Sequence, residues 1–264
     1  MRFFWLAPVF VSACADLSGL ADLAIDAGSD ATTNDAAQQI DASADATSID
    51  AATEAAPLTF CTAEAGASAF CADFDENDVH VAYANGVATT WTNASTPPPT
   101  LDFDASVSPP ASAEFTPTLL TAPSLSETLN GKPTTLVVSV ALRVNASALG
   151  TMHPLVVQTD ATHTVSIVLT NLNTISAELD ETADIGDGGT TITPHPISAG
   201  VPTGTWIPLS LTITKTTIEL VTFDIVDVNV TRAQNVALSN PIVSFGFGLE
   251  SSGEIDDVVV TTAQ

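Results

Sequence analysis

Between Thr205 and Arg232 the chain reads TWIPLSLTITKTTIELVTFDIVDVNVTR. Ile207, Leu209, Leu211 and Ile213 alternate there with Pro208, Ser210, Thr212 and Thr214. A period of two places the four aliphatic side chains on one face of a β-strand and the small polar ones on the other. After Lys215 the phase changes. Ile218 and Leu220 share one parity, Val221, Phe223 and Ile225 the other, and Val226, Val228 and Val230 return to the first. A slip of one residue turns every side chain over, so the pattern predicts three strands with a glycine-free turn or bulge near residues 224–227. Thr134–Asn145 repeats the signal: Leu136, Val138, Val140 and Leu142 lie on one face, with Val137, Ser139 and Ala141 behind them. Both faces are mostly apolar or small, as in a central strand of a sandwich. Val165, Ile167 and Leu169 alternate within 162–171, and the short gap after the 154–160 run suits a hairpin. Shorter runs lie at 79–84, 87–93, 114–121, 175–179, 242–249 and 254–262. Proline-rich 96–104 and Pro109-Pro110 read as loops or edge segments. The acidic, glycine-rich 180–191 (DETADIGDGGTT) and His195, held between Pro194 and Pro196, read as loops. The expected fold is all-β: a two-sheet antiparallel β-sandwich of the jelly-roll kind, without helices.

Charge narrows the functional classes. The 264 residues carry 31 acidic and 5 basic side chains, a net charge of −26. Nucleic-acid binding needs a basic footprint that this chain lacks. Docking on anionic lipid through charge is disfavoured for the same reason. Acidity favours solubility and suits multivalent cations.

The sandwich pattern does not reach the N-terminus. Residues 1–14, MRFFWLAPVFVSAC, place Arg2 ahead of an apolar run that is too short to span a bilayer, which takes ~20 residues. This is the shape of a secretory signal. Its end, Val11-Ser12-Ala13-Cys14, resembles a bacterial lipobox, and the resemblance implies lipidation of Cys14 as the mature N-terminus; ordinary signal cleavage nearby is the alternative. Residues 15–57 are rich in Asp-Ala dipeptides and hold no Lys or Arg. With few large apolar groups and one sign of charge, this stretch reads as a disordered, self-repelling tether spanning roughly 40 Å or more as a coil. The remaining residues, 58–264, form the expected globular domain. Cys61 and Cys71 open it. In an exported chain an even pair this close reads as a disulfide, with two buried free thiols as the alternative.

Three landmarks resemble the laminin-G-like or concanavalin-A-like jelly roll found in secreted and lipoprotein chains of myxobacteria. They are the opening Phe70-Cys71-Ala72-Asp73-Phe74-Asp75, the strand beginning at Trp206 followed by one with Glu219, Phe223 and Asp224, and the terminal Ile255-Asp256-Asp257-Val258-Val259-Val260. The resemblance implies that the closing strand lies beside the first. Asp224-Ile225-Val226-Asp227 departs from the pattern, which has an Asp-Gly turn at that place.

Candidate chemistry is sparse. Glu254-Ile255-Asp256 is similar to the start of the E-x-D-x-x-E core of laminarinase-like glycoside hydrolases, but the third position is Val259. Acids bordering the last strand at the surface are the plainer reading. His80, His153, His163 and His195 show no paired spacing, and no Gly-x-Ser-x-Gly elbow occurs. No catalytic set is therefore assigned. Asp180, Asp184 and Asp187, with glycines between and after them, are the calcium candidates, since Ca²⁺ takes six to eight oxygens from a bendable loop. Laminin-G-like domains often bind Ca²⁺, which adds to that reading; a solvated turn is the alternative. Trp206 is the candidate sugar platform, with packing on the sheet as its alternative. The expected protein is an exported, lipid-anchored lipoprotein at a bacterial surface or in the periplasm. Its non-catalytic sandwich binds glycan or protein ligands. A glycoside hydrolase or lyase of the same fold, and a structural envelope protein without ligand, are the alternatives.

Overall fold

The computed structural model describes residues 60–61, 68–147, 150–171, 175–186, 189–197, 201–223 and 225–264. Cys14, the Asp-Ala segment and Asp187 lie outside the described residues. The regular structure is built of strands. The first seven are β1 (Phe70–Ala72), β2 (Val81–Ala84), β3 (Val87–Thr90), β4 (Asn93–Ala94), β5 (Thr100–Asp102), β6 (Ser112–Phe115) and β7 (Ser124–Thr128). The long strands follow: β8 (Thr135–Ser147), β9 (Gly150–Gln158), β10 (His163–Asn171), β11 (Ile175–Gly186) and β12 (Gly189–Ile197). The last five are β13 (Trp206–Thr214), β14 (Thr217–Thr222), β15 (Ile225–Thr231), β16 (Ile242–Gly246) and β17 (Ser251–Ala263).

They form two antiparallel sheets. Sheet I runs β15-β14-β13-β8-β17-β1-β2-β3, with β6 also on β17 and β5 on β6. Sheet II runs β12-β11-β10-β9-β16-β7-β4. The inner faces are those expected from alternation: Ile207, Leu209, Leu211 and Ile213 of β13, Leu136, Val138, Val140 and Leu142 of β8, and Val165, Ile167 and Leu169 of β10 are all buried. Phe70, Trp91 and Phe245 stack edge-to-face through this core, at 4.7 and 6.0 Å between centroids.

The three strands expected between 206 and 231 are present. The chain reverses after β14 without glycine because Phe223 takes φ 47°. Leu220 pairs Val228 while Val221 pairs Val226, so Asp227 is the extra residue of a bulge. That bulge restores the core parity and falls inside the expected interval.

Two expectations fail around residues 175–197. The acidic stretch from Asp180 is not a loop, and neither is the His195 segment: β11 and β12 pair from Ala177↔Ile197 to Gly186↔Gly189. Leu179 and Ala183 bury themselves inward, and Glu181 can join them because Arg232 neutralises it. Pro194 and Pro196 fit because β12 is an edge strand with one neighbour, so no second ladder calls on their missing N–H groups.

β17 holds sheet I together. One edge pairs β8 from Ser251↔Ser147 to Ala263↔Thr135. The other edge pairs β6 through Gly253–Ile255 and β1 through Val258–Val260. The change of partner falls at Asp256-Asp257, where the β8 register shifts and Asp257 has φ 50°. The closing strand therefore does lie beside the first. The disulfide joins Cys61 to Cys71 of β1.

The β9–β10 turn carries a titratable pair. Asp160 Oδ1 accepts the backbone N–H groups of Thr162 and His163 at 2.7 and 2.9 Å. His163 Nδ1 faces Asp160 at 3.0 Å and its Nε2 faces Gln234 Oε1 at 2.9 Å. Both ring nitrogens meet acceptors, an arrangement only the cation satisfies. Burial works against the His163 cation and Arg232 opposes it weakly, but the bonds to Gln234 and Asp160 outweigh them and raise its pKa. A raised histidine pKa contributes stability that is complete below the unfolded value of about 6.5 and lost as pH rises through the folded value. Burial likewise disfavours the Asp160 carboxylate, yet its hydrogen bonds and His163 lower its pKa. Its share is present above the ordinary carboxylate range and lost as pH falls through the lowered value. Urea midpoints measured across neutral pH are expected to fall toward alkaline pH in the wild type, and His163→Gln removes that slope; an unchanged slope in the variant disproves the assignment.

Candidate ligand-binding face

The outer face of sheet II carries one straight row across all seven of its strands. Cross-strand pairing links Pro194 to Asp180, Asp180 to Ser166, and Ser166 to Val156. Val156 pairs Ser244, Ser244 pairs Ser126, and Ser126 pairs Asn93. The sequence neighbours of these residues, such as Leu179, Val165, Leu155, Val243 and Leu125, point into the core. Period two therefore sends the row outward. Small side chains along its middle leave the face recessed: Ser166 and Val168 are only 6% and 4% exposed although both point away from the core. At the β9–β16 end the recess opens into a cleft of ≈ 310 Å³ between Pro123, Ser124, Thr151, His153, Val156 and Ser244.

Asp180 is the charged group of the row. Its Oδ1 is buried and has no hydrogen-bond partner. Burial raises its pKa, and the fields of His153 and His195 pull partly the other way. Glu178, two residues earlier on β11, is on the same face, about 6.6 Å away along the strand by the ordinary rise. The face thus offers hydroxyls, a carboxylate acceptor with an unused lone pair, an imidazole at His153 and apolar floor at Val156 and Val168. That set matches a ligand with several hydroxyl groups and a partly apolar ring face. The strands of sheet II contain no Lys or Arg.

The residues singled out from sequence do not come together. Asp180 and Asp184 lie four residues apart on one strand, about 13 Å by the ordinary rise. A single Ca²⁺ with bonds of about 2.3–2.6 Å cannot bridge them, so the expected loop arrangement is replaced by a strand. Asp187 lies outside the described residues. Trp206 starts β13 on the outer face of sheet I, half-buried. The Arg143 guanidinium lies over its ring at 6.0 Å, and Arg143 also bonds Glu254 and the Gly204 carbonyl.

Glu254 and Asp256 are not surface acids. Glu254 is buried among Arg143, Asn145 and Ser112. Asp256 is buried and accepts the N–H groups of Val107 and Ser108 at 2.7 and 3.1 Å. Both are internal supports of sheet I. The row itself went unseen in the sequence, because Ser166, Val156 and Ser244 are ordinary outward strand positions until pairing aligns them. β7, which supplies Ser126, has too little aliphatic alternation to announce itself.

No protein-family model matches the chain, and no curated protein matches it. Solved structures do. Domain 4 of AbnA, an extracellular arabinanase of Geobacillus stearothermophilus in complex with arabinotriose, is 12% identical with a TM-score of 0.51, over 75% of this chain and 93% of that one. The apo Crh5 transglycosylase is 13% identical with a TM-score of 0.50, over 75% and 86%. The binding domain of botulinum neurotoxin DC in complex with SialylT is 11% identical with a TM-score of 0.51, over 76% of this chain and 48% of that one. At these identities the likeness establishes the fold, a jelly-roll sandwich of the concanavalin-A-like kind.

Proposed function

We propose that this chain is an exported, lipid-anchored protein whose sandwich binds a glycan on the outer face of sheet II without turning it over. The observation that carries the reading is the outward row from Asp180 through Ser166 and Val156 to Ser244, which leads into the cleft lined by Thr151, His153, Val156 and Ser244. A neighbour of the same fold in complex with arabinotriose supports a carbohydrate as the ligand class. Charge favours a neutral glycan. The chain carries −26, and Arg143 and Arg232 are held in ion pairs with Glu254 and Glu181. A uronate or sialate brought to this face meets Glu178 and Asp180 with no compensating cation on the strands of sheet II. Cys14 supplies the anchor, and intact-mass analysis of the membrane fraction tests it: an unlipidated N-terminus downstream of Cys14 removes that part of the proposal.

The binding test is calorimetric titration of the full chain with neutral arabino- and gluco-oligosaccharides and with alginate and sialyl oligosaccharides. Neutral ligands are expected to bind. Ser244→Trp, which fills the cleft, is expected to weaken binding at least about tenfold, or about 1.4 kcal/mol, with the thermal midpoint unchanged. Absence of binding to any neutral glycan, or full affinity in Ser244→Trp, refutes the proposal. The rival hydrolase has one observation in its favour, the pair Glu178 and Asp180 on one face. A third carboxylate in the E-x-D-x-x-E pattern is missing, since that place is Ala183, buried in the core. Product analysis after long incubation decides between them: cleavage lost in Glu178→Gln favours the enzyme.

A further inference from the structure

Two leucines stand uncovered at one end of the sandwich. Leu119 and Leu120 are 99% and 87% exposed. They form the tip of the 116–123 crossover, which carries the chain from β6 of sheet I to β7 of sheet II. A single exposed leucine is ordinary. Two side by side, with a third close by, are not. The 247–250 crossover runs alongside from β16 to β17, because Gly246 pairs Ser124 at one end and Gly253 pairs Phe115 at the other. It exposes Leu249. Phe115 and Phe247 pack together at 5.6 Å between centroids beneath the two crossovers, so both rest on filled core.

The tip is built to leave water. Thr118 N–H donates to the Thr121 carbonyl at 2.9 Å, and the two threonine hydroxyls bond each other at 2.7 Å. The Thr118 hydroxyl oxygen also accepts the N–H groups of Thr121 and Leu120 at 3.1 and 3.4 Å. Polar groups beside the leucines thus find partners within the turn itself, which removes much of the cost of taking backbone into hydrocarbon. Charge is kept away as well. Between Glu114 and Glu127 the sequence has no charged side chain, although the whole chain holds 31 acids. A protein partner fits the tip less well. A stable protein interface takes about 800 Å² from each side, more than a narrow two-residue projection offers, whereas a bilayer surrounds a projection of any shape.

We infer that Leu119 and Leu120 insert into the hydrocarbon boundary of a lipid bilayer, with Leu249 at its edge, giving the domain a membrane contact of its own. The insertion is shallow, because Glu250 follows Leu249, is exposed and stays among the headgroups. The matching bilayer is zwitterionic: a chain of net charge −26 is repelled by an anionic surface, and the leucines have only apolar burial to set against that. The anchor proposed at Cys14 adds to the contact, since tethering raises the effective concentration of the tip and lets a weak contact suffice. Ala122 and Pro123 continue the crossover and line the cleft of sheet II, so insertion sets that cleft at the headgroup layer.

The test uses the full chain carrying Leu120→Trp and vesicles of phosphatidylcholine with or without bromine on the acyl chains. Wild type, with Trp5, Trp91 and Trp206, supplies the background. Above that background the tip tryptophan is expected to shift its emission to the blue when vesicles are added and to be quenched by bromine, more by bromine near the headgroup than by bromine deep in the chain. Leu119→Glu added to Leu120→Trp is expected to cut the quenching at least about fivefold. Phosphatidylglycerol in place of half of the phosphatidylcholine is expected to weaken it at low salt and not at high salt. Both substitutions fall at exposed positions, so thermal midpoints and oligosaccharide titrations are expected to match wild type, which separates this inference from the glycan reading. Quenching is read above background whether or not Cys14 is acylated, so the anchor can fail while the tip still inserts. A tip tryptophan that is neither shifted nor quenched, or quenching unchanged by Leu119→Glu, overturns the inference. So does a dimer in sedimentation that Leu119→Ser with Leu120→Ser abolishes, since a second copy then covers the tip.

Discussion

Replacing Arg232 by Met is expected to destabilise the domain by about 3–5 kcal/mol, the cost of leaving the other half of a buried ion pair uncompensated. Arg232 is fully buried and its Nε donates to Glu181 Oε1 at 3.0 Å. Its remaining donors reach the carbonyls of Thr214 and Val236 at 3.2 and 3.1 Å and the Thr159 hydroxyl at 3.4 Å. Glu181 also accepts the Ala233 N–H at 2.8 Å. One guanidinium thus joins β11 of sheet II to the β13–β14 turn of sheet I, the β9–β10 turn and the segment after β15. Glu181→Leu alone leaves the arginine unpaired and is expected to cost a similar amount. Arg232→Met combined with Glu181→Leu replaces the pair by apolar volume and is expected to recover most of the loss, because a buried ion pair contributes little net stability once its desolvation is counted. Urea unfolding of the three variants closes a double-mutant cycle. If the double variant is as unstable as the sum of the singles, the two residues act independently and the pairing argument fails.

Gly253→Ala is expected to cost about 1–3 kcal/mol, as overpacking of a filled core does. Gly253 lies in β17 between Val144 of β8 and Phe115 of β6. A Cβ added there meets the Phe247 ring at 2.2 Å. The ring cannot retreat easily, since Phe247 is buried and packs on Phe115 at 5.6 Å between centroids. The glycine is required for space, not for a special backbone angle. Phe247→Leu in the Gly253→Ala background is expected to return part of the loss by vacating that volume. Thermal midpoints of the single and double variants check this, and a Gly253→Ala midpoint equal to wild type contradicts it.

The long strands were legible because alternation is a local signal. β8, β10 and β13 bury the side chains that parity selects, and the phase change after Lys215 marks the bulge that the structure places at Asp227. The hairpin of β11 and β12 was not legible. Its acidic and proline residues read as loop chemistry, and what makes them strand-compatible lies far away: Arg232, 51 residues from Glu181 in sequence, neutralises the inward acid, and an edge position excuses the prolines. Glu254 and Asp256 misled in the opposite direction. Acids near the end of the chain suggest exposure, yet β17 lies mid-sheet, where Arg143, Asn145 and the 107–108 backbone receive them.

The binding face divides the same way. Period two fixes that Ser166, Val156, Ser244 and Asp180 point away from the core, since side-chain direction depends only on the residue's own strand. That they stand in one line depends on register between strands, which is set by turns, bulges and partners remote in sequence. The sequence by itself determined the all-β class, the identity of the inward faces and the proximity of Cys61 to Cys71, each a consequence of local alternation or short separation. Only the tertiary structure decided which acids meet a counter-charge and which do not. Glu181 finds Arg232 across the sandwich and Glu254 finds Arg143 on the neighbouring strand β8, whereas Asp73, Asp75 and Glu76 are left facing one another, because only the pairing of strands remote in sequence brings charges of distant segments together.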